Sequence, residues 1–326
     1  MGNSCVCCAE LLGERYHMVI EAGQPPDCAL VWLHGLGDTE QGWVATLTKD
    51  VLPWIEIQCG QCKLVTPRAP TAAVSCNGGR RMTSWFDMLE LPVGAGVRPP
   101  DFGCSLPDAQ ISVLRVHKLI DGLLSRGVPS TRVAVGGFSQ GGTIAMLSAL
   151  QYPERLACCV SMSGILLGRE QLSQLIHAEN RDLDVLWCHG DEDQVVRPSV
   201  QRLGCDALEG ARIRVQRKHY SMGHTSNPEE LSDVAAFLVE HLRPGRPFEV
   251  RQPRRKSSGA AQLVPEKQAD PQLEPLLEHD AHEDDAGSGT EEPSTGDVDQ
   301  PSDLTSCCCR CESPCGIKRR AHEACS

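Results

Sequence analysis

No apolar run in the 326 residues approaches the roughly 20 that a membrane-crossing helix needs, so nothing in the chain reads as a span. The opening stretch, MGNSCVCCAELLGERYH, lacks the apolar core of a secretory signal and turns charged at Glu10. Internal repeats are missing. Neither G-x-G-x-x-G nor a Walker lysine occurs, which removes the common nucleotide loops. Positive charge is scarce, and a formal net charge of −12 argues against nucleic acid as a partner. Cysteine spacing matches no standard zinc module, so no metal and no cofactor is expected.

Cysteine itself is plentiful, at 18 residues. Cys5, Cys7 and Cys8 crowd the start, and Cys307, Cys308, Cys309, Cys311, Cys315 and Cys325 crowd the end. The others are scattered irregularly, which fits buried thiols in a reducing, cytoplasmic setting better than a disulfide framework. Cys59-Gly60-Gln61-Cys62 is a true CxxC, but it leads into a strand pattern rather than opening a helix, against a redox role. After Arg243 the chain turns basic and rich in Pro and Gly. It then turns strongly acidic, with thirteen acids against Lys267 alone from Glu266 to Asp303. Such a stretch buries too little apolar surface to offset its ordering entropy. The expected organisation is a Cys-rich segment over 1–15, one catalytic domain over 16–245, and a disordered tail over 246–326.

Between Tyr16 and Leu242 short apolar runs alternate with amphipathic stretches, as in a mostly parallel sheet with helices on both faces. Strands are expected at HMVIE, ALVWLH, CKLVTP, RVAVGG, LACCVSM, DVLWCHG and IRVQRK. Helices are expected over 107–126, 139–151, 197–208 and 227–242, the last with Leu231, Val234, Ala235 and Leu238 at helical spacing.

Chemistry enters with Gly137-Phe138-Ser139-Gln140-Gly141, a G-x-S-x-G between a strand and a helix pattern. A serine on that sharp turn projects its hydroxyl past the strand end, and the Gln140 N–H faces a developing oxyanion. A serine hydroxyl needs a base, and acid then histidine follow it in this chain order. His224 lies in a loop after a strand and before the last helix, where the base belongs. His177 and His241 read as surface residues, His189 as a structural residue at a strand end, and His219 as a late strand residue. Asp191, Glu192 and Asp193 all fall in the loop after DVLWCHG; Asp193 is favoured because QVV resumes a buried path, but spacing alone leaves Asp191 open. In Leu33-His34-Gly35-Leu36-Gly37-Asp38 the glycines let the backbone approach a substrate, making the Leu36 N–H a second donor.

With these residues placed, the segments VWLHGLGDTEQGW, TPRAP, NGGRRMTSWFDM, VAVGGFSQGGTIAMLSALQYPERLA, WCHGDEDQVV and YSMGHTSNPEELSDVAAFL, in that order, resemble the acyl-protein thioesterase, lysophospholipase and carboxylesterase family of α/β-hydrolases. The resemblance implies Ser139 as nucleophile, His224 as base and Asp193, the second aspartate of HGDxD, as the orienting acid. It also implies oxyanion donors at Leu36 and Gln140, and an acyl groove bordered by Trp85 and Phe86. Its implied substrates are acylated proteins, lysophospholipids or small esters. The chain departs from the pattern at Gln194, where the family has proline, and over 89–110, a Gly- and Pro-rich replacement for an acidic segment. Acyl-length preference therefore does not carry over. Cys5, Cys7 and Cys8 are S-acylation candidates for peripheral membrane attachment. The rival to an enzyme is a catalytically weak adaptor that uses the hydrolase scaffold at a membrane surface.

Overall fold

The computed structural model describes residues 16–18, 26–94 and 101–245. Cys5, Cys7, Cys8, the segment after residue 245 and the C-terminal cysteine cluster lie outside the described residues.

Seven strands form the main sheet: β1 (Tyr16–Met18), β2 (Cys28–Leu33), β3 (Cys62–Pro67), β6 (Val133–Phe138), β7 (Cys158–Met162), β8 (Asp184–Gly190) and β9 (Arg214–Tyr220). Their order is β1-β3-β2-β6-β7-β8-β9. β1 runs antiparallel to β3, and the other six strands are parallel. β4 (Thr71–Val74) and β5 (Arg80–Thr83) make a separate antiparallel hairpin. The helices are α1 (Val44–Asp50), α2 (Leu52–Cys59), α3 (Leu106–Leu124), α4 (Gln140–Gln151), the one-turn α5 (Leu172–Leu175), α6 (Pro198–Gly210) and α7 (Pro228–Leu242).

The apolar strand runs follow from burial on both faces, because successive side chains alternate across the sheet. In β2, Ala29, Val31 and Leu33 enter a core built with α3, α4 and α6. Cys28, Leu30 and Trp32 enter a second core with α1, α2 and α7. Helix α4 runs through the first core with every residue from Gln140 to Leu150 buried, which explains its lack of a polar stripe. The nine described cysteines are free thiols, eight of them buried and Cys76 half-buried. Among the described residues no helix is long and apolar enough to cross a membrane.

Three features depart from the sequence reading. Helices α1 and α2 and the β4–β5 hairpin had no periodic signal. Residue 139 is the cap before α4 rather than its first residue. His241 is not a surface residue: it is buried, its Nδ1 donates to the Phe237 carbonyl at 2.8 Å, and its Nε2 lies 3.3 Å from Asp184. The carboxylate of Asp184, held by Arg214 as well, draws that helix end inward.

Candidate active site

Every parallel strand delivers its following loop to one edge of the sheet, and that edge carries the chemistry. At the end of β6 the chain turns sharply through Ser139, whose φ of 55° is a left-handed value that costs a serine about 1–3 kcal/mol. The flanking glycines make the turn sterically feasible. A Cβ at Gly137 would lie 2.6 Å from the Leu33 carbonyl oxygen, and one at Gly141 would run into that same carbonyl and into His34. The strained turn is pinned by the Ser139 N–H donating to the Met162 carbonyl at 2.8 Å and by Thr143 N–H donating to the Ser139 carbonyl.

The loops after β8 and β9 are stitched together by their backbones. Asp191 N–H donates to the Tyr220 carbonyl and Glu192 N–H to the Met222 carbonyl. Gly190 has no Cβ because one would strike Met222. This stitching places Asp193 beside His224. Asp193 Oδ2 accepts from His224 Nδ1 at 2.7 Å, and His224 Nε2 accepts from Ser139 Oγ at 2.9 Å. The imidazole also packs on Phe138, with ring centroids 4.8 Å apart.

Asp193 is buried, and burial alone would push its carboxyl up. The hydrogen bond and charge of His224, with the N–H groups of Val196 and Val195 on Oδ1, outweigh that and hold it below the usual carboxylate range. Asp191 and Glu192 behave differently: Asp191 is exposed and meets His219 at 2.8 Å, and Glu192 accepts from Ser221. Geometry thus separates the three acids that spacing could not.

His34 and His189 hold the frame. The Ala69 N–H donates to His34 Nε2 at 3.0 Å, so the ring proton sits on Nδ1 and donates to the Gly35 carbonyl. Burial lowers the pKa of His34. His189, also buried and pushed down in pKa, donates from Nε2 to the Val196 carbonyl and lies 3.4 Å from Asp193 Oδ2. Gly35 brings its α-carbon against Ser139, where an added Cβ would sit 3.5 Å from the serine Cβ. The next peptide N–H, that of Leu36, and the N–H of Gln140 have no protein acceptor among the described residues.

The side chain of Gln140 is a feature the sequence reading missed. Its Oε1 accepts from the Trp85 N–H at 3.0 Å, and its Nε2 donates to the Phe86 carbonyl at 2.8 Å and to Ser84 Oγ at 3.2 Å. Trp85 Nε1 in turn donates to the His34 carbonyl at 2.8 Å. The amide of the residue after the serine therefore ties the 84–86 segment to the loop that carries Leu36. These bonds correct one expectation. Trp85 and Phe86 are buried behind the site and do not line the cleft; Met88 and Leu91 do.

The cleft over Ser139 has a volume of about 500 Å³. Its apolar lining comes from Leu36, Met88, Leu91, Val195 and Val196. The lining also includes Asp38, Trp43, Thr46, Thr225 and Ser226. Leu36, Met88, Val195 and Val196 pack with the α3–α4–α6 core, and Trp43 and Phe138 with the opposite core. The 88–94 segment is fastened to the loop after β8, where Val93 N–H donates to the Val195 carbonyl and Arg197 N–H to the Val93 carbonyl. Among the described residues no group of three His, Cys, Asp or Glu side chains is arranged to hold a metal ion. A hydroxyl and an imidazole in the cleft, a buried carboxylate behind them and two nearby amide N–H groups without a protein acceptor among the described residues constitute equipment for acyl transfer.

Known proteins share this plan. The family model described as Phospholipase/Carboxylesterase matches residues 14–242. An acyl-protein thioesterase 1 of Gibberella zeae is 32% identical over 233 residues, covering 70% of this chain and 96% of that protein. A probable carboxylesterase of Oryza sativa is 34% identical over 215 residues, covering 66% of this chain and 77% of the other. The crystal structure of Zea mays acyl-protein thioesterase 2 superposes with a TM-score of 0.57 at 30% identity, covering 70% of this chain and 99% of that one. The chain belongs to the phospholipase/carboxylesterase family of serine hydrolases, with the α/β-hydrolase fold.

Proposed function

We propose that this protein cleaves acyl thioesters and esters through an acyl-enzyme on Ser139, with acylated proteins as its principal substrates. The observation that carries the reading is the hydrogen-bonded run from Asp193 through His224 to Ser139. His224 Nε2 takes the Ser139 proton as Oγ attacks the acyl carbonyl, and Asp193 holds the tautomer and stabilises the imidazolium. The N–H groups of Leu36 and Gln140 receive the tetrahedral oxyanion. His224 returns the proton to the departing thiol or alcohol. It then deprotonates a water that attacks the acyl-serine, releasing the acid and restoring Ser139. The acyl chain lies along Leu36, Met88, Leu91, Val195 and Val196, an apolar wall suited to a hydrocarbon. Similarity to acyl-protein thioesterases supports the thioester reading, and similarity to a carboxylesterase keeps oxyesters within range.

Purified protein assayed on thioesters and oxyesters of graded acyl length tests this. Turnover that rises with acyl length and favours thioesters is expected. Absence of turnover on every acyl length would overturn the reading.

A further inference from the structure

The lining of the cleft has an electrostatic feature that acyl transfer does not use. Asp38 is the only formally charged side chain among the described residues lining the cleft, and His224 is the only other ionisable imidazole or acid there. Its Oδ1 accepts from the Thr39 N–H at 2.7 Å, and no basic side chain among the described residues pairs with it. The neighbouring acid is accounted for differently: Glu40 is taken by Arg68 at 3.0 Å. The carboxylate of Asp38 rests directly on the α-carbon of Gly42, so that a Cβ there would collide with both oxygens. Gly42 leads into Trp43, which lines the same cleft and packs its ring on Phe138. A carboxylate and an aromatic side chain lining one cleft can together recognise a cation, one supplying charge and the other a polarisable surface.

We propose that Asp38 and Trp43 form a subsite for a positively charged group on the leaving-group side of the scissile bond. The proposal rests on the thioesterase reading above. With the acyl chain on the apolar residues, what remains of the lining for the departing half of the substrate is Asp38, Trp43, Thr46, Thr225 and Ser226. Its cation is either a lysine or arginine flanking an acylated cysteine, or a trimethylammonium headgroup. Anionic leaving groups are disfavoured there by the same charge.

The test uses the full chain and pairs of substrates sharing one acyl group. One pair is an S-octanoyl cysteine peptide with a flanking lysine against its norleucine counterpart. The second is octanoyl thiocholine against the octanoyl thioester of its neutral tert-butyl isostere, each rate normalised to hydroxide-catalysed hydrolysis. The wild type is expected to favour the cationic member by roughly 3- to 5-fold in kcat/KM at low salt, the range of a partly exposed charge pair. The preference should shrink at 1 M salt, where screening reaches within about 3 Å. Asp38→Asn should abolish it by removing the charge. Gly42→Ala should reduce it by displacing the carboxylate with its charge intact, which covers the case of an unstable Asp38→Asn protein. Preference in the peptide pair alone assigns the subsite to basic sequence, and preference in the thiocholine pair alone assigns it to a headgroup. Equal normalised rates within both pairs, or an unchanged preference in both variants, overturn the subsite while leaving the hydrolase standing. No turnover of any thioester overturns both.

Discussion

Replacing Gln140 with methionine separates what its side chain does from what its backbone N–H does. Methionine has nearly the same length and shape, so the buried volume is kept and the peptide N–H stays at the start of α4. What goes is the amide. The Trp85 N–H, buried with no other acceptor, is left unpaired, at about 1–3 kcal/mol. The Phe86 carbonyl loses a bond of 2.8 Å but still accepts from Ser84 Oγ at 2.7 Å, so its loss is nearer 1 kcal/mol. Together these come to about 2–4 kcal/mol, which for a domain of this size lowers Tm by roughly 5–12 °C. Activity should fall as well, by about ten-fold. The slackened 84–86 segment carries the Trp85 indole that holds the His34 carbonyl and so the Leu36 loop. Thermal unfolding followed by circular dichroism gives the first number, and kcat/KM on a short-chain thioester gives the second. An unchanged Tm with full activity would show that the amide network does not brace the site.

Other perturbations follow from the same geometry. Asp193→Asn should drop kcat by about 10⁴ through loss of the imidazole tautomer, with little change in KM; a fall under ten-fold would point to another orienting acid. Gly141→Ala drives a Cβ into the Leu33 carbonyl and should cost more than about 4 kcal/mol in urea unfolding, whereas Gly122→Ala, with open space in α3, should gain about 0.5–1 kcal/mol. Equal effects of the two would contradict the close-approach argument. Glu230 is buried, and desolvation, opposed only by the weaker pull of the Asn227 backbone N–H, raises its pKa from 4.5 to about 8. The folded state therefore keeps a proton that the unfolded chain releases near pH 4.5. Stability falls as pH rises through that window, by about 3 kcal/mol at pH 7. Glu230→Gln should flatten this decline between pH 5 and 8, and an identical pH slope would exclude Glu230 as its source.

Much of this architecture is legible in the chain because burial on both faces leaves continuous apolar runs, and β2, β6, β7 and β8 are such runs. The serine turn is legible because close approach to Leu33 permits only glycine at 137 and 141. Helix α2 escaped because it has no clean stripe: Leu52 and Ile55 are buried while Trp54 and Ile57 are exposed. His241 escaped because its burial depends on Asp184, more than fifty positions earlier in the chain. The exchange of Trp85 and Phe86 for Met88 and Leu91 at the cleft has the same origin. Which way that segment faces is decided by hydrogen bonds from Gln140 and Ser112, and no local pattern records them.

Turnover depends on the reactivity of one hydroxyl, that of Ser139. Treating the folded protein with a fluorophosphonate and locating the adduct by peptide mass spectrometry tests it most directly. A single phosphonylated site at Ser139, lost together with thioester turnover in Ser139→Ala, is the predicted result. A folded wild-type protein that takes up no label, or an alanine variant that still turns over substrate, would contradict it and favour a scaffold that binds without catalysing.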